Sequence, residues 1–121
     1  MTNYIWVTGE RDGFHNWPDA PMEVRYLSHR HWHIFKFKIG IEVFSDDREI
    51  EFHMFRNYIF NGFIKKWPKN LRGKSCEMIA NEIYDYIIIK YKGRKIKIEV
   101  SEDGINGVNM EYGCDKNGHS K

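Results

Sequence analysis

Apolar and polar residues alternate along several stretches of the chain, and this period predicts β-strands. Residues 33–44 are apolar at every second position with lysine, glycine and glutamate among the intervening residues, as expected of a strand with one buried face. Residues 96–100 repeat the pattern, and residues 108–112 predict a last strand after turns rich in aspartate, asparagine and glycine. Residues 4–9 predict a first strand, which we expect to break at the Arg-Asp-Gly of residues 11–13.

Two helices are predicted in the middle of the chain, where apolar residues recur at spacings of three and four. The first follows a hairpin turn at residues 45–48 and the start of a return strand at Ile50, and it ends at Pro68. The second begins after Ser75, whose hydroxyl can cap free N–H groups of the first turn. The two apolar stripes are Phe52, Phe55, Ile59, Phe60, Phe63 and Ile64, and Ile79, Ala80, Ile83 and Ile87.

The predicted order of elements is two strands, two helices and two strands (ββααββ). Such segregation indicates an α+β fold, with an antiparallel four-stranded sheet that carries both helices on one face. A chain of 121 residues supports one core. We therefore predict a single domain over residues 1–112 and a polar tail over residues 113–121, for which disorder is the expectation.

Charge and cysteine content narrow the class of protein. The net charge is +2, and basic and acidic residues are interspersed, which argues against a dedicated nucleic-acid binder. Cys76 and Cys114 are too few for a disulfide framework and lack CxxC spacing, which favours a reducing cytoplasmic setting. No apolar run is long enough to span a bilayer, so we expect no membrane insertion.

Histidines are the candidate metal ligands. His29, His31 and His33 stand at alternate positions where the long strand begins, so a strand that starts that early points all three to one side. Two imidazoles from one strand and a third from elsewhere leave an open coordination position on zinc, and His15 is the natural third. The spacing suits the pair His29/His31 and the pair His31/His33 equally. The alternative is surface or interface histidines that bind no metal.

This arrangement resembles the 6-pyruvoyl-tetrahydropterin synthases and the related 6-carboxy-tetrahydropterin synthases, which have a first-strand histidine and then His-Gly-His at the start of the second strand. Here His15 precedes His29-Arg30-His31 by a similar interval, and the following strand aligns without a gap. The resemblance therefore favours His15, His29 and His31 as zinc ligands. Three further segments resemble family motifs in the same order along the chain: residues 48–52, 75–80 and 100–103.

The resemblance implies the tunnelling fold (T-fold), in which subunits associate into a barrel with ligand pockets at their junctions. A homo-oligomer and a pterin-, purine- or deazapurine-like ligand follow from it. Glu102 is similar to the family's ring-binding glutamate, since a carboxylate accepts two parallel hydrogen bonds from a guanine-like edge. The alternative for Glu102 is an exposed acid at a strand end.

The chain departs from the family at its proton-transfer groups. Residues 25–28 lack the family's catalytic cysteine, and residues 67–72 lack its Asp-His pair. Whether the chain is an enzyme therefore stays open, and the candidates for proton transfer are His33, Glu51 and His53.

Other side chains are candidates for ligand binding. Arg30 and Arg48, with Arg25 and Arg72, would suit a phosphate or carboxylate, although solvated arginines are the alternative. Trp17 and Trp32 can stack on a flat heterocycle, although either can equally belong to the core.

Three functions remain open at this point. The first is a zinc-dependent pterin- or purine-type lyase or hydrolase. The second is a non-catalytic protein, viral in origin under this hypothesis, that sequesters a nucleotide signal. The third is a structural oligomerisation module with neither metal nor small ligand.

Overall fold

A computed structural model describes residues 1–113, and its elements follow the predicted ββααββ order. The strands and helices are β1 (Asn3–His15), β2 (His31–Val43), α1 (Phe52–Phe60), α2 (Cys76–Lys90), β3 (Ile96–Glu102) and β4 (Asn106–Tyr112). Two short 3₁₀ helices are added, at Met22–Ser28 and Ile64–Lys66. The α+β class is thereby confirmed. The predicted tail, including Cys114, lies outside the described residues apart from Gly113.

The four strands form the predicted antiparallel sheet, which is open and has the strand order β1-β2-β3-β4. β1 and β2 are equally long and pair along their whole length, from Asn3 opposite Val43 to His15 opposite His31. β3 pairs with the middle of β2, so that Glu102 lies opposite Phe35. This register decides which side chains meet at the end of the sheet.

The core lies on the face of the sheet that α1 and α2 cover. Phe35, Phe37, Ile39 and Ile41 of β2 are almost completely buried there, together with Ile83 of α2. Burying each such side chain contributes about 1.5–3 kcal/mol. The intervening residues of β2 point to the opposite, uncovered face and are mostly exposed. Period-two patterning thus predicted this strand correctly.

The predicted break in the first strand is wrong, since β1 continues through residues 11–13 to His15. Arg11 pairs with Phe35, and its guanidinium donates to the carbonyls of Ile64 and Trp67. Gly13 leaves room for the carbonyl oxygen of Lys69, which an added Cβ would approach to 3.2 Å. Pairing with the full length of β2 outweighs the local preference of Asp-Gly for a turn.

The region around α1 also differs from the prediction. No return strand forms at Ile50, because the Glu51 carboxylate caps α1 by accepting hydrogen bonds from the backbone N–H groups of His53 and Met54. The helix ends at Phe60 rather than at Pro68, and a turn and a 3₁₀ helix follow it. The prediction for Ser75 is confirmed, since its hydroxyl accepts a hydrogen bond from the N–H of Met78 at 3.1 Å.

Candidate metal centre

Three histidines and one glutamate meet at the end of the core face and could hold a metal ion. His15 is the last residue of β1, His31 and His33 open β2, and Glu102 ends β3. One ligand atom from each of the four lies within 4.8 Å of the others. Strand pairing explains this convergence: His15 is directly opposite His31, and same-face side chains recur at every second residue.

The Nδ1 atom of each imidazole already has a partner outside the cluster. In His15 it lies 2.9 Å from the carbonyl oxygen of Lys74, and in His31 it lies 2.9 Å from the carbonyl oxygen of His29. In His33 it lies 2.7 Å from Oδ2 of Asp103. A carbonyl or carboxylate oxygen can only accept here, so each Nδ1 carries a hydrogen, and in the neutral form of each imidazole Nε2 then has a free lone pair.

The Nε2 atoms of His15 and His33 face Glu102 without hydrogen-bonding to it. His15 Nε2 lies 2.8 Å from Oε2 of Glu102, and His33 Nε2 lies 3.5 Å from Oε1. These separations are short, but neither ring nitrogen has a hydrogen-bond partner of acceptable geometry, and both are buried. With neutral imidazoles, each pair brings two hydrogen-bond acceptors close together. The nitrogen and oxygen lone pairs then repel each other unless a cation lies between them.

The cluster fits a divalent cation both in the spacing of its ligand atoms and in the hydrogen bonds that hold its imidazoles. Ligand atoms around a tetrahedral zinc ion stand about 3.3 Å apart when metal–nitrogen bonds are about 2.0 Å, a spacing close to the distances between Glu102 and the two imidazoles. Metal-binding imidazoles usually donate a hydrogen bond from their second ring nitrogen to a carbonyl or carboxylate oxygen, and all three Nδ1 atoms have such a partner here. His15 is 7% exposed, so its orphaned nitrogen has little access to bulk water.

A cavity of about 480 Å³ adjoins the cluster. His15, His31 and Glu102 form one wall, and the first turn of α2 and the start of β4 contribute to the others. Apolar side chains complete the lining: Trp17, Leu27, Met78 and Val108. The volume lies within the range of small-ligand pockets, about 300–1,000 Å³.

The charges around the cavity are mainly acidic. Glu77 joins Glu102 in the lining, and the ammonium group of Lys74 lies 2.9 Å from a carboxylate oxygen of Glu82. Burial, followed by the nearby Glu102 and Glu77, raises the pKa of the Cys76 thiol to about 12. Cys76 is therefore an uncharged thiol at neutral pH and a poor nucleophile.

The predicted site residues near the second strand fall into two groups. Trp17 lines the cavity, and Glu102 and His33 belong to the cluster. Trp32 and Arg30 do not reach the cavity: Trp32 is 62% exposed on the opposite face, and both side chains pack on Phe14.

The structure brings His33 rather than His29 to the cluster. His29 lies at the end of the first 3₁₀ helix, and within the described part of the chain it contributes only its carbonyl oxygen, to His31. Of the two histidine pairs that the sequence left open, the geometry supports His31 and His33. His33, which the sequence suggested for proton transfer, thus belongs to the residues that could hold a metal ion.

The other predicted catalytic and ligand-binding residues lie at the far end of β2. Glu51 caps α1, and His53 bonds to Glu51. Arg48 is exposed in the loop before them and pairs with Asp47. The end of β2 is ten residues from His33, which at about 3.3 Å per residue is about 33 Å of strand. These three residues are therefore not part of the cluster or its cavity.

Sequence reasoning missed Asp103, which contacts His33. Its carboxylate also accepts a hydrogen bond from the N–H of Ile34 at 2.8 Å. These two bonds, the one from Ile34 first, keep the pKa of Asp103 below its ordinary value. The Asp-Gly turn signal placed Asp103 at the hairpin, but only strand pairing brings it to the histidine.

Comparisons with known proteins return no match, either to a protein-family model or to a curated protein. Among the described helices, none is both long and apolar enough to cross a membrane.

Proposed function

We propose that this chain binds zinc through His15, His31 and His33, with Glu102 as the fourth ligand, and that the adjoining cavity takes a small flat heterocycle. The observation that carries the proposal is the pair of buried Nε2 atoms, on His15 and His33, that face a carboxylate without a hydrogen bond. Imidazole and carboxylate ligands together suit zinc, whereas calcium and magnesium prefer oxygen ligands alone.

The resemblance to tetrahydropterin synthases supports a pterin-, purine- or deazapurine-like ring as the ligand. The apolar lining offers surfaces for a ring, and Trp17 offers an indole for stacking. Two carboxylates and a lysine paired with Glu82 offer little for a phosphate group, so a neutral ring suits this cavity better than a nucleotide.

The T-fold and a homo-oligomeric barrel belong to the same proposal. The ββααββ order and the single antiparallel sheet agree with it. Each edge strand, β1 and β4, pairs with one strand of the described sheet. Their free edges can pair with neighbouring copies, which is how a barrel of several sheets would close.

When bound, zinc supplies a Lewis acid that polarises a ligand oxygen or activates water. Other residues of the chain hold the three imidazoles in place. The Nδ1 atoms of these rings bond to the carbonyl oxygens of Lys74 and His29 and to the carboxylate of Asp103. If Glu102 did not ligate the metal, one coordination position would stay open, and the Glu102 carboxylate, 2.8 Å from His15 Nε2, would be placed to hold a proton. A zinc-dependent lyase or hydrolase is the enzymatic form of this function.

Binding without turnover is the second candidate, and one observation favours it. Within the described residues, the cavity offers no thiolate in place of the missing catalytic cysteine, because Cys76 stays protonated, and His53 is not part of its lining.

Metal content tests the proposal. Protein purified without a histidine tag should contain about one zinc per chain by elemental mass spectrometry, and His33→Ala should lose most of it. His53→Ala is the matched control, since His53 is exposed and outside the cluster. Less than about a tenth of a zinc per wild-type chain after zinc dialysis would refute the metal site.

Mass spectrometry of small molecules that co-purify with the native protein tests the ligand. A ring compound bound to wild type and lost from Trp17→Ala supports the cavity as its site. Incubation with neopterin and guanine then separates the two candidates, because an enzyme converts its substrate and a sequestering protein releases it unchanged.

A further inference from the structure

Asp103 connects the β3–β4 turn to the first residues of β2. It has a left-handed backbone with φ of 60°, and its N–H donates to the carbonyl of Ile34 at 2.8 Å. Its two carboxylate oxygens accept separate hydrogen bonds, Oδ1 from the N–H of Ile34 and Oδ2 from Nδ1–H of His33. The residue is thus held by three hydrogen bonds, one from its backbone and two to its side chain.

We propose that Asp103 is the positioning residue of the metal centre: its Oδ2 sets the tautomer and ring orientation of His33 so that Nε2 faces the metal. This inference rests on the proposed zinc site and concerns a residue outside its ligand set. Two acceptor oxygens are required at this position. The bond from Ile34 fixes the carboxylate, and the fixed carboxylate fixes the imidazole.

Replacing Asp103 by asparagine tests this role, because both carboxylate oxygens of Asp103 accept a hydrogen bond. Asparagine has nearly the same shape as aspartate but offers one acceptor oxygen, while its NH₂ group can only donate. In Asp103→Asn, either Ile34 or His33 must therefore face a donor with its own N–H. If the amide turns its NH₂ to His33, the ring is driven to the Nε2–H tautomer, which has no lone pair for the metal.

The assay measures zinc affinity by competition with a chelator. Losing a carboxylate that hydrogen-bonds to a metal-binding imidazole typically weakens metal binding about 10–100-fold. We expect a decrease of that size in the zinc affinity of Asp103→Asn. The matched control is Asp12→Asn, because Asp12 is also a carboxylate that accepts a side-chain hydrogen bond, from Lys69, but it lies on β1 and is not part of the cluster. Its zinc affinity should equal that of wild type.

A second readout separates positioning from general loss of stability. Long-range ¹H–¹⁵N NMR of the metal-free protein at pH 8 should show His33 of wild type as the Nδ1–H tautomer. Asp103→Asn should shift His33 towards Nε2–H while His15, held by Lys74, keeps its tautomer. A merely structural role for Asp103 would leave the tautomer of a folded variant unchanged.

The outcomes distinguish the inference from the proposal on which it rests. If wild type binds no zinc, both fail. If wild type binds zinc, His33→Ala does not, and Asp103→Asn keeps both wild-type affinity and the Nδ1–H tautomer, then the metal site stands and the role of Asp103 is refuted. If Asp103→Asn does not fold, an Nε2–H tautomer for His33 in metal-free wild type would refute the role by itself.

Discussion

Replacing Glu102 by glutamine should change stability in opposite directions with and without metal. In the metal-free protein, Oε2 of Glu102 faces the lone pair of His15 Nε2 at 2.8 Å with no hydrogen bond between them. The glutamine amide can donate a hydrogen to that lone pair and remove the repulsion. A buried acceptor that gains a partner contributes about 1–3 kcal/mol, so the metal-free Glu102→Gln protein should be about 1–2 kcal/mol more stable than wild type.

With zinc the order reverses, because a neutral amide is a weaker ligand than a carboxylate. Zinc at about 1,000 times the dissociation constant stabilises wild type by about 4.1 kcal/mol. If the substitution weakens binding about 100-fold, the same zinc concentration stabilises the variant by about 1.4 kcal/mol. The metal-dependent gain of wild type over the variant is then about 2.7 kcal/mol, which exceeds the advantage of the metal-free variant.

Urea unfolding in the presence of a chelator measures the stability of the metal-free proteins, and the same experiment with zinc measures how much the metal stabilises each of them. Glu77→Gln is the control, since Glu77 lines the same cavity but is not part of the cluster. A metal-free Glu102→Gln protein that is less stable than wild type would contradict the reasoning, and would indicate a protonated His15 that forms an ion pair with Glu102. Equal stabilisation of wild type and variant by zinc would remove Glu102 from the ligand set.

Two further predictions concern the scaffold. Ile83→Ala in α2 should lower the free energy of unfolding by about 2–5 kcal/mol in urea denaturation, because Ile83 is fully buried in the core and its loss leaves a cavity. Arg94, then the N–H groups of Phe44 and Ser45, lower the pKa of Glu49 from 4.5 to about 2. A lowered folded-state pKa stabilises the fold above pH 4.5, and this contribution is lost as the pH falls towards 2. Arg94→Gln should therefore flatten the fall in urea midpoint between pH 4.5 and 2, and an unchanged slope would contradict the assignment.

Local sequence patterns correctly predicted the strands and helices whose structure follows from their own periodicity and capping residues. The alternation in β2 and β3 and the stripe of α2 follow from the geometry of a strand and a helix, and Ser75 caps α2 as expected. The break at residues 11–13 was predicted from turn propensity, and it is absent because β1 pairs with a strand of equal length. Turn and strand propensities describe an isolated segment, whereas the hydrogen bonds and side-chain contacts of a sheet also depend on the neighbouring strand.

The sequence predicted a site built from histidines but not which of the histidines belong to it. Alternation placed three histidines on one side, and the sequence could not tell whether the pair was His29/His31 or His31/His33. The answer depends on where β2 begins, and the pairing of His15 with His31 fixes that point. Likewise, the resemblance singled out Glu102 as a ring-binding residue, but the sequence did not predict that Glu102 and Asp103 contact the histidines of β1 and β2, because a long helical segment separates them along the chain.

The separation of the ligands along the chain also bears on the order of folding. All three histidines lie in the β1–β2 hairpin, whose strands are neighbours in sequence, whereas Glu102 arrives only when β3 docks against β2. Contacts within a hairpin close a short loop, while the docking of β3 closes a long one and is entropically costlier. A nascent hairpin thus brings the three histidines together before the helices are in place, and the contacts of Lys74 and Asp103 that orient two of the rings come later. Metal bound at that stage would restrain the hairpin early, and the arrival of Glu102 would complete the site as a late folding event.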